Sequence, residues 1–168
     1  VSSWKNYKSI NKYSIGIEIS NPGHQHKYVN FTSSQIKSIL KLSKFLIKKY
    51  RIKSEFILGH SDIAPNRKKD PGEKFPWQYF SKKKISFWHS VGAKKLLNAR
   101  NHKITKEDKE NFIKNIYKIG YLKNIIKKNN KYLKTITTAF QRRFRQCLIN
   151  GKIDKECLII SQNLAKKF

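Results

Sequence analysis

The stretch YSIGIEIS, residues 13–20, most narrows what this chain can fold into, because its side chains alternate without a break. Tyr13, Ile15, Ile17 and Ile19 share one side, and Ser14, Gly16, Glu18 and Ser20 the other, the period of two that a half-buried β-strand requires. That register sets an acid, Glu18, on an open strand face. Asn21-Pro22-Gly23 ends the run with turn chemistry. The period then changes. Thr32 is placed as a helix N-cap, Gln35 completes a capping box, and Phe31 and Ile36 flank it as a hydrophobic staple. Ile36, Ile39, Leu40, Ile47 and Tyr50 keep helical spacing, while Lys37, Lys41, Lys44 and Lys48 read as the solvated stripe. EFIL, 55–58, reads as a short buried strand running into Gly59. A helix between two strands predicts an α/β layer arrangement.

Farther along, FPWQYF (75–80) is expected to open another helix, with Phe87 and Trp88 closing a first domain at about residue 90. Residues 91–104 are polar and basic without a clear period and read as a linker. In 105–168, Thr105 with Asp108 caps a helix carrying Phe112, Ile113, Ile116 and Ile119 and stopped by Gly120. Ile136, Ala139, Phe140 and Phe144 mark a second helix. Asn150-Gly151 makes a turn, and Asp154 caps a third helix with Leu158, Ile159 and Leu164 on its apolar side. The expectation is a small three-helix bundle beside a larger neighbour.

Composition bounds the partners. The 168 residues carry a net charge of +28, built from 32 Lys and 6 Arg alongside 22 Ile and 14 Asn. A nucleic-acid reader leans on Arg for bidentate contacts. Lys spread along the whole chain fits a drift toward Lys, Ile and Asn, or else attraction to an anionic partner such as nucleic acid or a charged envelope. No helix-turn-helix, zinc-finger or RNP-type pattern accompanies the charge, so no nucleic-acid partner is expected. No apolar run approaches the ~20 residues of a membrane-spanning helix. Cys147 and Cys157 lack metal-site spacing; either a disulfide or buried helical thiols would suit them.

The chemistry concentrates in GHSDIAPNRKKDPG, residues 59–72. An imidazole, His60, and a carboxylate, Asp70, on a loop after a strand can serve as two of three protein ligands to a catalytic zinc. A nearby carboxylate such as Glu18 then suits proton transfer from water, and Lys68 suits holding a negative oxygen. The same residues also read as an Asx-type turn beside a solvated charge cluster, and no self-sufficient zinc signature is present.

GHSDIAPNRKKDPG followed by FPW, and preceded by SIGIEISNPGH, resembles the zinc-dependent N-acetylmuramoyl-L-alanine amidases of the amidase type 2 family over residues 1 to about 90. The resemblance implies a mixed β-sheet flanked by helices and hydrolysis of the amide between N-acetylmuramic acid and L-alanine in peptidoglycan or muropeptides. It implies His60 and Asp70 as zinc ligands, Glu18 as the catalytic acid and base, and Lys68 as the oxyanion-stabilising cation. His24, in the NPGH motif, matches a histidine that is not a ligand in the family. The family's first ligand is a histidine on a strand that falls upstream of Val1, so the chain is expected to be N-terminally truncated, with one sheet edge exposed. A non-catalytic peptidoglycan-recognition module is the alternative. AFQRRFR (139–145) with the Asn150-Gly151 turn is similar to the three-helix peptidoglycan-binding domain attached to such amidases, although the insert is Lys-rich. A monomer of the cell envelope or periplasm is expected, with the cytoplasm as the other compartment.

Overall fold

The computed structural model describes residues 2–121 and 130–168; the Lys-rich insert falls on residues 122–129, outside the described residues. The chain opens with a hairpin, β1 (Ser3–Trp4) antiparallel to β2 (Tyr7–Lys8), in which Ser3 faces Lys8 and Trp4 faces Tyr7. Seven helices follow among the described residues: α1 (Ser33–Tyr50), α2 (His60–Ile63), α3 (Trp77–Lys82), α4 (Ala93–Ala99), α5 (Lys106–Ile119), α6 (Asn130–Phe144) and α7 (Lys155–Ala165).

The helix starts follow the capping chemistry. Thr32 Oγ1 accepts from the Gln35 amide at 3.2 Å, and the Thr32 amide donates to Gln35 Oε1 at 2.9 Å. Thr105 and Asp108 repeat this exchange at the head of α5, and Asp154 accepts from the Cys157 amide at 2.9 Å to start α7. Gly120 stops α5 at φ 139°.

Two apolar clusters result. The smaller joins Ile39 of α1 to Phe75, Trp77, Phe80 and Ile85, with Phe31 and Ile36 packed against it as the staple requires. The larger joins Trp4 and Phe87 to Phe112, Ile116, Ile136, Phe140, Phe144, Leu158 and Leu164. Trp88 packs against both.

Both expected strands turn out otherwise. Residues 14–20 belong to no ladder among the described residues, and Tyr13, Ile15 and Ile17 are exposed; Ile19 alone of that face packs inward, on the smaller cluster. Alternation supplies a face, but a strand needs a neighbour to take its backbone groups, and the only sheet among the described residues is the hairpin. EFIL is likewise unpaired. Ser54–Phe56 form a 3-10 turn, the Glu55 carbonyl accepts from Trp4 Nε1 at 3.1 Å, and the Ile57 carbonyl accepts from Arg143 Nη2 at 2.9 Å. Side chains have taken the carbonyls a ladder would use.

The segment 91–104, expected as a linker, holds helix α4, whose Leu96 and Ala99 are buried. Arg100 just beyond α4 donates from Nε and Nη2 to Glu156 at 2.8 and 3.0 Å, so the segment is packed on α7. Cys147 is exposed and Cys157 buried, both as free thiols; the disulfide alternative is not realised.

Candidate active site

The loop 59–72 is built on a glycine that admits no side chain. A Cβ on Gly59 would lie 2.8 Å from Pro71 Cδ and 3.2 Å from Trp77 Cζ2, so Pro71 and Trp77 press directly on backbone. From Gly59 the chain turns into α2, whose first residue is His60. The Ser61 amide donates to the Asp70 carbonyl at 2.9 Å, tying the returning arm of the loop to that helix. This brings the two candidate ligands face to face: His60 Nδ1 lies 3.0 Å from Asp70 Oδ2, and both side chains remain partly open to solvent.

The far side of the loop is fixed by Tyr28. Its hydroxyl donates to the Pro71 carbonyl at 2.6 Å and accepts from the Lys74 amide at 3.0 Å. Gly72, at φ 81°, passes so close that a Cβ would sit 2.5 Å from that hydroxyl. Burial pushes the Tyr28 phenol up to about 12, so it stays protonated and keeps donating. His24 pairs through Nε2 with Glu73 at 3.0 Å.

The donor chemistry suits zinc, which takes imidazole nitrogen and carboxylate oxygen. Adjacent donors of a tetrahedral zinc lie about 3.3 Å apart, close to the 3.0 Å between His60 Nδ1 and Asp70 Oδ2. They fit as two ligands; no group of three His, Cys, Asp or Glu side chains converges among the described residues. Glu18 is exposed and Lys68 half-buried, and neither side chain has a hydrogen-bond or ionic partner among the described residues. The Lys68 amide donates to the Ala64 carbonyl at 3.0 Å, which roots its backbone on the turn after α2.

Sequence reasoning passed over the residues beneath the loop. Asp62, the acid of GHSD, is 2% exposed and accepts three hydrogen bonds: the Gly59 amide at 2.8 Å, the Tyr121 hydroxyl at 2.7 Å and Arg143 Nη1. Burial and the Asp62 carboxylate push the Tyr121 phenol well above its ordinary value, which keeps it a donor. The Arg143 guanidinium lies 4.2 Å from the centre of the Trp77 ring and 4.5 Å from that of Phe87. The signal was there: Arg143 sits three residues after Phe140 and seven after Ile136, on the buried face of its helix. Apart from the half-buried Arg142, the AFQRRFR motif is internal too. Gln141 accepts from the Asn150 and Gly151 amides, and Arg145 pairs with Asp154 and Glu156. Those three side chains hold the helices together from inside and offer nothing to a ligand outside.

Residues 2–73 match the family profile for N-acetylmuramoyl-L-alanine amidase (Amidase_2). The chain belongs to that family. All of it aligns, at 32% identity, with the N-acetylmuramoyl-L-alanine amidase AmiD of Escherichia coli K12, and it spans 62% of that protein's length. In three dimensions the whole chain superposes on AmiD solved with anhydro-N-acetylmuramic acid-L-Ala-D-γ-Glu-L-Lys, at a TM-score of 0.86, 31% identity and 67% of that chain. AmpDh3 of Pseudomonas aeruginosa in complex with anhydromuramic pentapeptide gives 0.84 and 28%, over 99% of this chain and 67% of that one. The expected fold class is borne out by these likenesses, although the two strands read from sequence are unpaired here.

Proposed function

We propose that this chain carries the active site of a zinc-dependent N-acetylmuramoyl-L-alanine amidase that hydrolyses the bond between N-acetylmuramic acid and L-alanine in muropeptides or peptidoglycan. The observation that carries the reading is the apposition of His60 Nδ1 and Asp70 Oδ2 at 3.0 Å, on the loop that the family match covers up to Glu73. The relatives solved with anhydromuramyl peptides supply the substrate class.

His60 and Asp70 would hold the metal. Bound there, zinc supplies Lewis acidity, lowering the pKa of a water toward ~7 and polarising a carbonyl. Glu18 is the proposed proton carrier: exposed and unpartnered among the described residues, it can accept the proton of the attacking water and pass it to the departing amine of L-alanine. Lys68, likewise unpartnered, is proposed to steady the negative oxygen of the tetrahedral intermediate. The Ser61–Asp70 backbone bond and the Tyr28 contacts to the Pro71 carbonyl and Lys74 amide keep both ends of the loop in place. The proposed setting is the cell envelope, where peptidoglycan lies, and α5–α7 are proposed to contribute glycan affinity through their outer surfaces.

The test is incubation of the protein and its Glu18→Gln and Asp70→Ala variants with zinc and an anhydro-muramyl tripeptide, with products read by mass spectrometry. Release of the free peptide by the parent is expected. Glu18→Gln should abolish release with zinc content unchanged, and Asp70→Ala should lower zinc content itself. Full release by Glu18→Gln would remove Glu18 from the reaction.

A further inference from the structure

Beneath the candidate metal loop lies a buried contact that joins chain segments far apart in sequence. Asp62 is separated from Tyr121 by 59 residues and from Arg143 by 81 residues, yet both donate to its carboxylate. Asp62 in turn accepts from the Gly59 amide, which closes the first turn of α2 around His60. Arg143 also reaches the Ile57 carbonyl, two residues before Gly59, so one guanidinium grips the loop's entry and its first turn together. Gln146, three residues on, donates to the Phe75 carbonyl at 2.7 Å, on the segment that leaves the loop. Entry, turn and exit are thus held by Arg143 at the end of α6, by Gln146 just beyond it and by Tyr121, two residues past α5.

From this we infer that the C-terminal helices form the floor of the metal site, with Arg143 and Tyr121 as positioning residues that aim His60 by locking Asp62. The inference rests on the amidase reading for its metal but not for its contacts. His60 opens the short helix whose Asp62 this network holds, and its own side chain stays partly open to solvent. Asp62 has no route to water that would let it swap partners: it and Arg143 are 2% and 1% exposed. Such a closed arrangement leaves the α2 backbone one place to sit. Support of this kind behind a metal ligand is commonly worth about 10–100-fold in metal affinity. It also gives the helical part a purpose inside the catalytic centre, separate from any contact with glycan strands.

The experiment uses the full chain with Tyr121→Phe, which deletes a single hydroxyl, and Arg143→Lys, which keeps the charge but not the two-pronged grip. Amide hydrogen exchange of residues 57–72 is measured on the metal-free protein, and zinc affinity by competition with a chromophoric chelator. Expected are exchange in 57–72 faster by about tenfold, with α5 and α7 protected as before, and zinc binding weaker by about 10–100-fold. Unchanged exchange in 57–72 overturns the proposal, as does an equal rise across α5 and α7, which would mean general destabilisation. Faster loop exchange with undiminished zinc affinity also overturns it, since His60 would then not depend on the lock. If the parent protein binds no zinc at all, the amidase reading fails, while the exchange comparison still decides whether these residues hold the loop.

Discussion

Replacing Arg143 by methionine tests the energetic core of the site. Methionine fills most of the space against Trp77 and Phe87 but removes the charge and both donors, to Asp62 and to the Ile57 carbonyl. Asp62 would stay buried with the Gly59 amide and the Tyr121 hydroxyl as its remaining donors. Breaking a buried ion pair from one side costs about 3–5 kcal/mol, because the other charge is stranded. At about 2–4 °C per kcal/mol for a chain of this size, the midpoint should fall by roughly 6–20 °C. Asp62→Asn removes the stranded charge and keeps an oxygen for the Gly59 amide, while the Tyr121 hydroxyl can turn to accept from the new NH2, so the double variant should be more stable than the sum of the single losses by about 2 kcal/mol. Urea unfolding followed by tryptophan fluorescence gives all four corners of the cycle. Additive losses, with coupling below ~0.5 kcal/mol, would show that Asp62 does not need Arg143 and that the helix merely packs there.

Other expectations are independent of that pair. A thiol reagent should titrate one cysteine per native chain, the exposed Cys147, because burial pushes the Cys157 thiol up to about 12; two fast thiols would contradict the buried placement. Gly120→Ala should destabilise by more than ~1 kcal/mol, measured by thermal unfolding, since φ is 139° and the new Cβ would sit 2.5 Å from Trp4 Cε2. Burial holds the His89 imidazole below its usual 6.5, with Lys167 nearby adding to the effect and Glu156 opposing it. The unfolded chain therefore takes up a proton that the native one resists, so this contribution is present above ~6.5 and is lost as pH falls through that region. His89→Gln should flatten the acid-side slope of midpoint against pH, and an unchanged slope would assign it to other groups.

What could be read directly from sequence was local. Thr32 with Gln35, Thr105 with Asp108, and Asp154 all name their own partners three residues away, and each helix starts where they say. His60 and Asp70 were legible because a short loop with a glycine at each end returns to its start. Strands were not, since alternation in 13–20 cannot state which backbone will lie alongside it. Helix α4 escaped because a seven-residue helix with Leu96 and Ala99 as its buried residues offers too little period to register. Arg143 was hidden by its charge: an arginine is taken for surface until a carboxylate 81 residues away is known to be waiting in the interior.

Trp4 has a consequence for how the polypeptide is made. It is synthesised well before Tyr121, yet its indole lies edge-on to that ring with centres 4.9 Å apart, and the neighbouring Lys5 amide donates to the Gly120 carbonyl at 2.7 Å. The hairpin thus waits until the end of α5 has been synthesised before its indole can be covered. A chain with such distant closing contacts acquires its native form late, which keeps an emerging product pliable during translation and exposes it to capture by holding factors.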